Sequence, residues 1–261
     1  MLKFRTMVLA LAIIAALTVV LWPGLAGLGS RFGFWEFGFG LGTMTREWWP
    51  FLWYLSGGLG LLALILCLVI SPRRLAGVVA AIVAIGIPVA AKMQYDNVRA
   101  TAQAVPAIHD ITTDMQDPPM FTDAIMSIRN ASRANPADYI GKLKPGRDGE
   151  PDRLVSALQS EAYPDIVPIR IDGSSDLIFE KSLEALESLG WVMVSNDRET
   201  GIIEATDTTF WYGFKDDVII RIRSNGENSS VVDVRSLSRV GGSDLGKNAA
   251  RIREFRSLVT D

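Results

Sequence analysis

The sequence contains a single cysteine and a single histidine among its 261 residues. With one cysteine, Cys67, an intramolecular disulfide and a cysteine-based metal site are excluded. With one histidine, His109, a multi-histidine metal centre and a histidine-rich proton relay are excluded as well. We therefore expect no metal and no cofactor, and any catalysis would depend on very few groups.

The chain also lacks an excess of positive charge outside its first third. Its formal net charge is −3. Residues 1–91 carry six basic and two acidic side chains, whereas residues 92–261 have more acidic than basic ones. Surfaces that bind nucleic acid are normally strongly basic, so we do not expect nucleic acid as a partner.

Long apolar runs are confined to the first 91 residues. Three of them, about 7–28, 51–70 and 75–91, are long enough at about 1.5 Å per residue to cross roughly 30 Å of hydrocarbon. The first run is longer than the apolar core of a signal peptide, and no small-residue cleavage site precedes Arg31. The sequence therefore predicts three uncleaved spans, with the lipid bilayer as a partner.

The distribution of basic residues predicts an orientation. Lys3 and Arg5 precede the first run, and Arg73 and Arg74 separate the second from the third. With three spans these charges share one side, so the positive-inside rule predicts a cytoplasmic N-terminus. In a bacterium this describes a multi-pass inner-membrane protein with a periplasmic C-terminal domain.

Residues 29–50, between the first two runs, are rich in glycine and aromatic residues. Aromatic rings favour the headgroup level of a bilayer, so an interfacial segment is the expected structure. A partner-binding loop is the alternative.

Residues 92–160 show weak apolar periodicity and many turn-forming residues, which predicts a linker and wrapping segment. Asp110, Asp114 and Asp117 carry oxygen ligands of the kind that hard cations prefer, but the glycine-containing loop of a calcium hand is missing. Aspartates that cap turns are the favoured interpretation. His109 beside Asp110 is a candidate acid/base pair.

Residues 161–261 show a regular pattern of an α+β domain. Strand signals occupy residues 166–171, 191–195, 202–208, 218–223 and 230–237, and helical signals occupy residues 174–189 and 244–259. The order β-α-β-β-β-β-α with short turns predicts an antiparallel sheet covered by two amphipathic helices. A helix-grip arrangement, in which the sheet wraps around a helix, fits this order.

The candidate ligand-binding residues are charged or hydroxyl side chains within one short region. They are Asp216, Asp217, Arg221, Arg235, Arg239, Ser243, Asp244 and Arg251. Strand alternation places Arg221, Asp233 and Arg235 on the face opposite the valines and isoleucines, where charges commonly pair with one another. Asp216 and Asp217 are adjacent and would point in opposite directions, which argues against paired-carboxylate catalysis.

The glycine turn after the last strand leaves two interpretations open. Arg239 precedes Gly241 and Gly242, where the backbone can turn tightly, and Ser243 and Asp244 are placed to cap a helix. Helix N-termini attract anions, and an arginine fork binds carboxylate or phosphate, so an anion site fits the pattern. An internal brace between Arg239 and Asp244 fits it equally well.

The aromatic run at residues 210–214 reads Phe-Trp-Tyr-Gly-Phe. It fits a lid over an apolar ligand cavity, a patch that faces the membrane, or part of the core. The sequence does not choose among these three.

Two stretches, Gly213–Asp217 (GFKDD) and Val234–Gly246 (VRSLSRVGGSDLG), together with Asn248 and Arg251, resemble the domain-of-unknown-function-1499 family. The resemblance covers about residues 108–259. That family commonly begins with an Asn-Cys-Val-Ser-Ser motif, where this chain has His-Asp-Ile-Thr-Thr-Asp, so no role tied to that cysteine is expected. The resemblance implies the family's fold, sometimes a membrane anchor, and no established activity.

These features predict a membrane-anchored envelope protein whose C-terminal domain binds a ligand or partner, such as a lipid or another envelope component. A hydrolase or transferase that uses His109 or Ser243 with an aspartate is one alternative. A structural subunit of a membrane complex is another.

Overall fold

The computed structural model describes four stretches of the chain: residues 1–72, 75–146, 150–226 and 228–260. The chain divides into two compact units, which we call the membrane unit (residues 1–101 with 210–213) and the α+β unit (residues 102–209 with 214–261). Arg73 and Arg74, which carry part of the predicted orientation, lie outside the described residues.

The membrane unit is helical. It consists of α1 (Leu2–Arg31), a π-helical segment (Gly38–Trp48), α2 (Trp49–Val69) and α3 (Leu75–Ala104). Within the described residues, three helices are long and apolar enough to cross a membrane, and they cover 2–31, 38–69 and 75–104. The three predicted apolar helices are thus confirmed, and each is long enough to cross a membrane. The first helix extends beyond both predicted bounds, the second begins earlier but ends at Val69, one residue before its predicted end, and the third continues to Ala104.

Small residues set the packing of these helices. Alanines at positions 12, 16, 63, 81 and 84 are buried where the helices meet. Lipid tails are as apolar as leucine, so helices in a membrane associate through close van der Waals contact, which small side chains allow. Gly60 is the closest case: a Cβ there would lie 2.8 Å from Ile85 Cγ1 and 3.3 Å from the Ile85 backbone nitrogen.

Arg5 is buried despite its charge. Its Nη1 donates to the backbone oxygens of Ile70 and Pro72, each at 2.9 Å. These carbonyls follow the end of α2, where a helix leaves backbone acceptors unsatisfied. Arg5 therefore joins the start of α1 to the end of α2.

The α+β unit contains eight strands and four helices that lie wholly within it. In chain order they are β1 (Asp110–Thr112), α4 (Asp123–Ala131), β2 (Leu143–Lys144), β3 (Arg153–Leu154), α5 (Val155–Ala162), β4 (Ile169–Asp172), α6 (Ser175–Leu189), β5 (Val192–Asp197), β6 (Ile202–Thr208), β7 (Lys215–Ser224), β8 (Ser229–Ser238) and α7 (Lys247–Thr260), counted over the described ranges.

The main sheet is antiparallel throughout, in the order β1-β8-β7-β6-β5. Strand β4 also pairs with β8, so β1 and β4 share its outer edge. From β4 to α7 the elements follow the predicted order β-α-β-β-β-β-α, and the α+β fold class is confirmed. Short hairpins between consecutive strands explain why this part is antiparallel.

One face of the sheet carries the main core. Val218 and Ile220 of β7 and Val234 of β8 are buried with Phe179 of α6 and Phe255 of α7. Helix α6 begins after Ser174, whose side chain accepts the amide of Leu177, and ends at Gly190 in the left-handed conformation. Both caps can be recognised from the sequence, because each involves residues that lie within one helical turn of one another.

The other face of the sheet is also buried. Phe121 and Ile125 of α4 and its preceding segment pack with Ile219 and Leu237 of the sheet. The region predicted as linker and wrapping segment therefore supplies an edge strand and a covering helix. The sheet face that carries Arg221, Asp233 and Arg235 is therefore covered by this segment.

We predict that Gly60→Val destabilises the membrane unit. The new side chain would have to displace Ile85, and overpacking of this kind typically costs about 1–3 kcal/mol. The midpoint of thermal unfolding of the full chain in detergent measures the effect. Gly58→Val is the matched control, since a Cβ at Gly58 meets no atom within 4 Å in the described structure. Equal midpoints for the two variants would contradict the packing argument.

Candidate functional site

Arg235 and Asp110 form a fully buried ion pair. The Nε and Nη2 atoms of Arg235 donate to the two carboxylate oxygens of Asp110, both at 2.9 Å. Two further bonds reach the backbone oxygens of Pro119 (3.2 Å) and Ala137 (2.5 Å). Arg235 is thus surrounded by fixed acceptors, and its fork joins β8 to β1 and to the covering segment.

Asp217 is shared by two buried arginines. Its Oδ2 accepts from Arg129 Nη1 at 2.7 Å, and its Oδ1 accepts from Arg239 Nη2 at 2.6 Å. The hydroxyl of Thr206 donates to Oδ1 at 2.9 Å. Burial lowers the pKa of Arg129, and the hydrogen bond to Asp217 opposes that shift. The brace predicted for Arg239 therefore exists, but its partner is Asp217 and not Asp244.

Arg251 of α7 lies between two other carboxylates, on the sheet face that α6 and α7 cover. Its Nη2 donates to Asp216 Oδ2 at 2.7 Å and to Asp207 Oδ2 at 2.6 Å. Its Nη1 donates to Ser236 Oγ and to Asn248 Oδ1. Asp216 and Asp217 thus point to opposite faces of β7, as strand alternation predicted.

Arg221 lies on the sheet face that α4 covers, and its side chain is partly exposed. It donates to Asp233 Oδ2 from Nε at 3.2 Å and from Nη2 at 3.0 Å, and to Asp117 Oδ2 from Nη1 at 2.9 Å. Asp114 Oδ1 accepts the amides of Gln116 and Asp117, which is the turn-capping role favoured from the sequence. Within the described stretches, no three acidic, histidine or cysteine side chains converge to hold a metal ion.

Asp244 and Ser243 cap the start of α7. Asp244 accepts the amides of Gly246 (2.8 Å) and Asn248 (2.9 Å), and Ser243 Oγ accepts the amide of Leu245. Burial raises the pKa of the Asp244 carboxyl, and the two amide hydrogen bonds counteract that rise. The amides at this helix end are therefore already bonded to the protein, which disfavours an anion site there.

A small basic pocket lies beside the glycine turn. Its volume is about 160 Å³, and its polar lining comes from His109, Lys142, Lys144 and Gly242. Lys144 Nζ donates to Gly242 O at 3.0 Å, and Lys142 Nζ lies 3.6 Å from Asp110 Oδ2. Among the described residues, none of those that line the pocket carries a carboxylate, so this part of the lining is positively charged.

The burial and positive charge of this pocket lower the pKa of His109. Burial, followed by the positive charge of Lys142, lowers the pKa of His109 from 6.5 to about 4. The imidazole is therefore neutral at pH 7, and it is a weaker base than a catalyst that works near neutrality needs. A hydrolase or transferase that uses His109 or Ser243 with an aspartate stays a prediction.

The structure separates the eight predicted site residues into distinct groups. Asp217 and Arg239 form one network, Asp216 and Arg251 a second, Arg235 and Arg221 each pair with another aspartate, and Ser243 and Asp244 cap the start of α7. Sequence reasoning missed the partners Arg129 and Asp207 and the pocket lysines Lys142 and Lys144. These lysines alternate with apolar residues before a proline-glycine pair, which is a weak signal. Arg129 carries none, because its partner Asp217 is 88 positions away.

We predict that Asp217→Asn strongly destabilises the α+β unit. It leaves two buried guanidinium groups without a counter-charge, and breaking a buried pair typically costs about 3–5 kcal/mol. Asp165→Asn is the matched control: Asp165 also pairs with two arginines, 253 and 256, but at the surface, where about 1 kcal/mol or less is expected. Denaturant unfolding of the full chain in detergent measures both losses. Similar losses would show that burial does not set the strength of these pairs.

We also predict a pH dependence that His109 causes. The unfolded chain binds the proton near pH 6.5 and the folded chain only near pH 4, so stability is complete above pH 6.5 and falls as the pH drops towards 4. Because His109 is the only histidine, His109→Gln should flatten the stability profile between about pH 7 and pH 5. Unfolding midpoints across that range measure it, and parallel profiles for the variant and the parent would contradict the assignment.

Comparison with known proteins agrees with the resemblance noted in the sequence. A family model described as "Protein of unknown function (DUF1499)" matches residues 110–259, which is more than half of the chain. A search of curated proteins finds no match. The matched region contains Asp110, both arginine networks and the basic pocket apart from residues 107–109. The chain therefore belongs to the DUF1499 family and carries, ahead of the family region, three helices able to span a membrane.

Proposed function

We propose that this protein is a membrane-anchored anion-binding protein, and that the basic pocket at His109, Lys142, Lys144 and Gly242 is its binding site. The ligand class is a phosphate or carboxylate group, either free or carried by a lipid or another envelope component. The observation that carries the proposal is a pocket whose lining, over the residues that the structure describes, contains two lysines and no acidic side chain.

The arginines are poorer candidates than the two lysines. Arg235 and Arg239 are buried and already hydrogen-bonded to carboxylates of the protein. A ligand would have to displace Asp110 or Asp217, which would then be buried and unpaired at a cost of several kcal/mol. We therefore assign these arginines to stability and the glycine turn, with its lysines, to binding.

The size of the pocket limits the ligand. Pockets for drug-sized molecules have volumes of about 300–1,000 Å³, whereas a water molecule occupies about 30 Å³ of liquid. A volume of about 160 Å³ suits one anionic group with a short substituent. The rest of a larger ligand would remain outside.

A second cleft is larger, at about 200 Å³, and lies at the start of α6. Its cation, Arg198, forms ion pairs with Glu180 and Asp176. Its charge is therefore balanced within the protein, and the smaller basic pocket is the better anion site.

We further propose that the protein lies in a bacterial inner membrane with its N-terminus in the cytoplasm and the α+β unit in the periplasm. The positive-inside rule supports this orientation through Lys3, Arg5, Arg73 and Arg74. Alkaline phosphatase fused to the C-terminus should then be active in bacterial cells, and fused after residue 72 it should be inactive. The reverse pattern would overturn the orientation.

We predict that Lys142→Gln combined with Lys144→Gln abolishes anion binding. Inorganic phosphate is the probe, compared with chloride at equal ionic strength on the full chain in detergent. A ligand at 100 times its Kd stabilises the folded state by about 2.7 kcal/mol, so phosphate should raise the unfolding temperature of the parent but not of the double variant.

Lys181→Gln provides the matched control, since this lysine lies on α6 and does not line the pocket. It should retain the response to phosphate. If the parent shows no response specific to phosphate, or if the control loses as much as the double variant, the pocket is not the site.

A further inference from the structure

Four residues of the loop between β6 and β7, residues 210–213, belong to the membrane unit. The C-terminal end of α1 holds this loop. Arg31 Nη1 donates to Phe210 O at 2.7 Å, and the Arg31 guanidinium lies 5.3 Å from the centre of the Phe210 ring. The loop is therefore fixed at the point where the first span ends.

The backbone of the loop also lies close to the backbone of α1. A Cβ on Gly27 would lie 3.3 Å from Trp211 O, and one on Gly213 would lie 3.3 Å from Arg31 Cα. Gly213 has φ +66°, a conformation that glycine adopts without strain. The hydroxyl groups of Tyr212 and Thr45 lie 2.7 Å apart and share a hydrogen bond. The loop backbone is thus seated on the helices of its own unit.

The two aromatic side chains at the tip of this loop are left uncovered. Phe210 is 64% exposed and Trp211 is 53% exposed. Their rings meet edge to face with centroids 5.1 Å apart. The contacts that fix the loop therefore do not bury these rings, although each ring offers a large apolar surface.

The helix that holds this exposed pair also exposes apolar side chains. Leu25 and Leu21 of α1, about two and three turns before its end, are exposed on a helix able to span a membrane. Other exposed rings of the same unit, Phe34, Phe39 and Trp48, lie in the segment that follows α1. Aromatic rings concentrate at the membrane–water boundary, and a span ends at that boundary.

We propose that Phe210 and Trp211 insert into the headgroup region of the bilayer and form a membrane anchor in addition to the three spans. We assign lipid as the occupant of this surface, because the loop is held at the end of a helix that is able to span a membrane and that exposes apolar side chains. The proposal does not depend on the basic pocket, which involves other residues in the other unit.

The test uses the full chain in vesicles of phosphatidylcholine and phosphatidylglycerol. In a Cys67→Ser background, Phe210→Cys and Trp211→Cys are each labelled with an environment-sensitive fluorophore. Thr200→Cys, in the turn between β5 and β6, is the matched control. At positions 210 and 211 we expect emission shifted to shorter wavelength, quenching by brominated lipid, and several-fold weaker quenching by aqueous iodide than at position 200.

Two results would overturn the proposal. Quenching by iodide at 210 and 211 equal to that at 200 would place the loop in water. Protection from iodide without quenching by brominated lipid would show that protein covers the loop. Either labelled position is sufficient for the decision, so failure of one variant to fold leaves the other to decide.

Discussion

The α+β unit depends on one buried carboxylate, Asp217, which is bonded to two arginines. Arg129 reaches it from α4 and Arg239 from the end of β8, while Thr206 donates from β6. Neither arginine can leave without a large loss, since an unpaired buried charge costs several kcal/mol. The covering helix is therefore attached to the sheet by electrostatics as well as by apolar contact.

The same interaction specifies the register of the central strands. A slip of one residue along β7 would move every side chain of the strand to the opposite face. If Asp216 took the place of Asp217, Asp217 would enter the buried position of Val218, and Lys215 would lie against Arg251. Pairs of opposite charge on both faces thus make one register much more favourable than its neighbours. The apolar residues of β7 impose the same register through their alternation, so the two constraints reinforce each other.

An element can be predicted from the sequence when the residues that stabilise it are close together along the chain. Helix α6, its Ser174 cap and its Gly190 end were readable because each signal acts over a few residues. The covering helix α4 and the strand β1 were not predicted. Strand β1 has only three residues, and the side chain of Gln159 bonds its backbone at Thr112. Local propensity contains no information about a partner 47 positions away.

The candidate residues show the same limit. Alternation correctly placed Arg221, Asp233 and Arg235 on one face, because that depends only on the strand period. It did not reveal that Arg235 is completely enclosed, since the enclosing carbonyls come from Pro119 and Ala137. Charged residues alternate along a strand in the same way whether they pair at the surface or in a buried network. Only the covering segment distinguishes the two cases.

The buried pairs also explain why the pocket beside them is positive. Asp110 forms an ion pair with Lys142 at 3.6 Å, but both of its oxygens are bonded to Arg235 at the shorter distance of 2.9 Å. The negative charge of Asp110 is thus shared between the two cations and offsets the charge of Lys142 only in part. The backbone of the pocket is fixed as well: His109 O accepts from Ser238 and Asn248, and Lys142 O accepts from Val155. A site whose backbone is already ordered loses less entropy when it binds a ligand. The interactions that stabilise the fold therefore also order the backbone beside the two lysines of the proposed anion site.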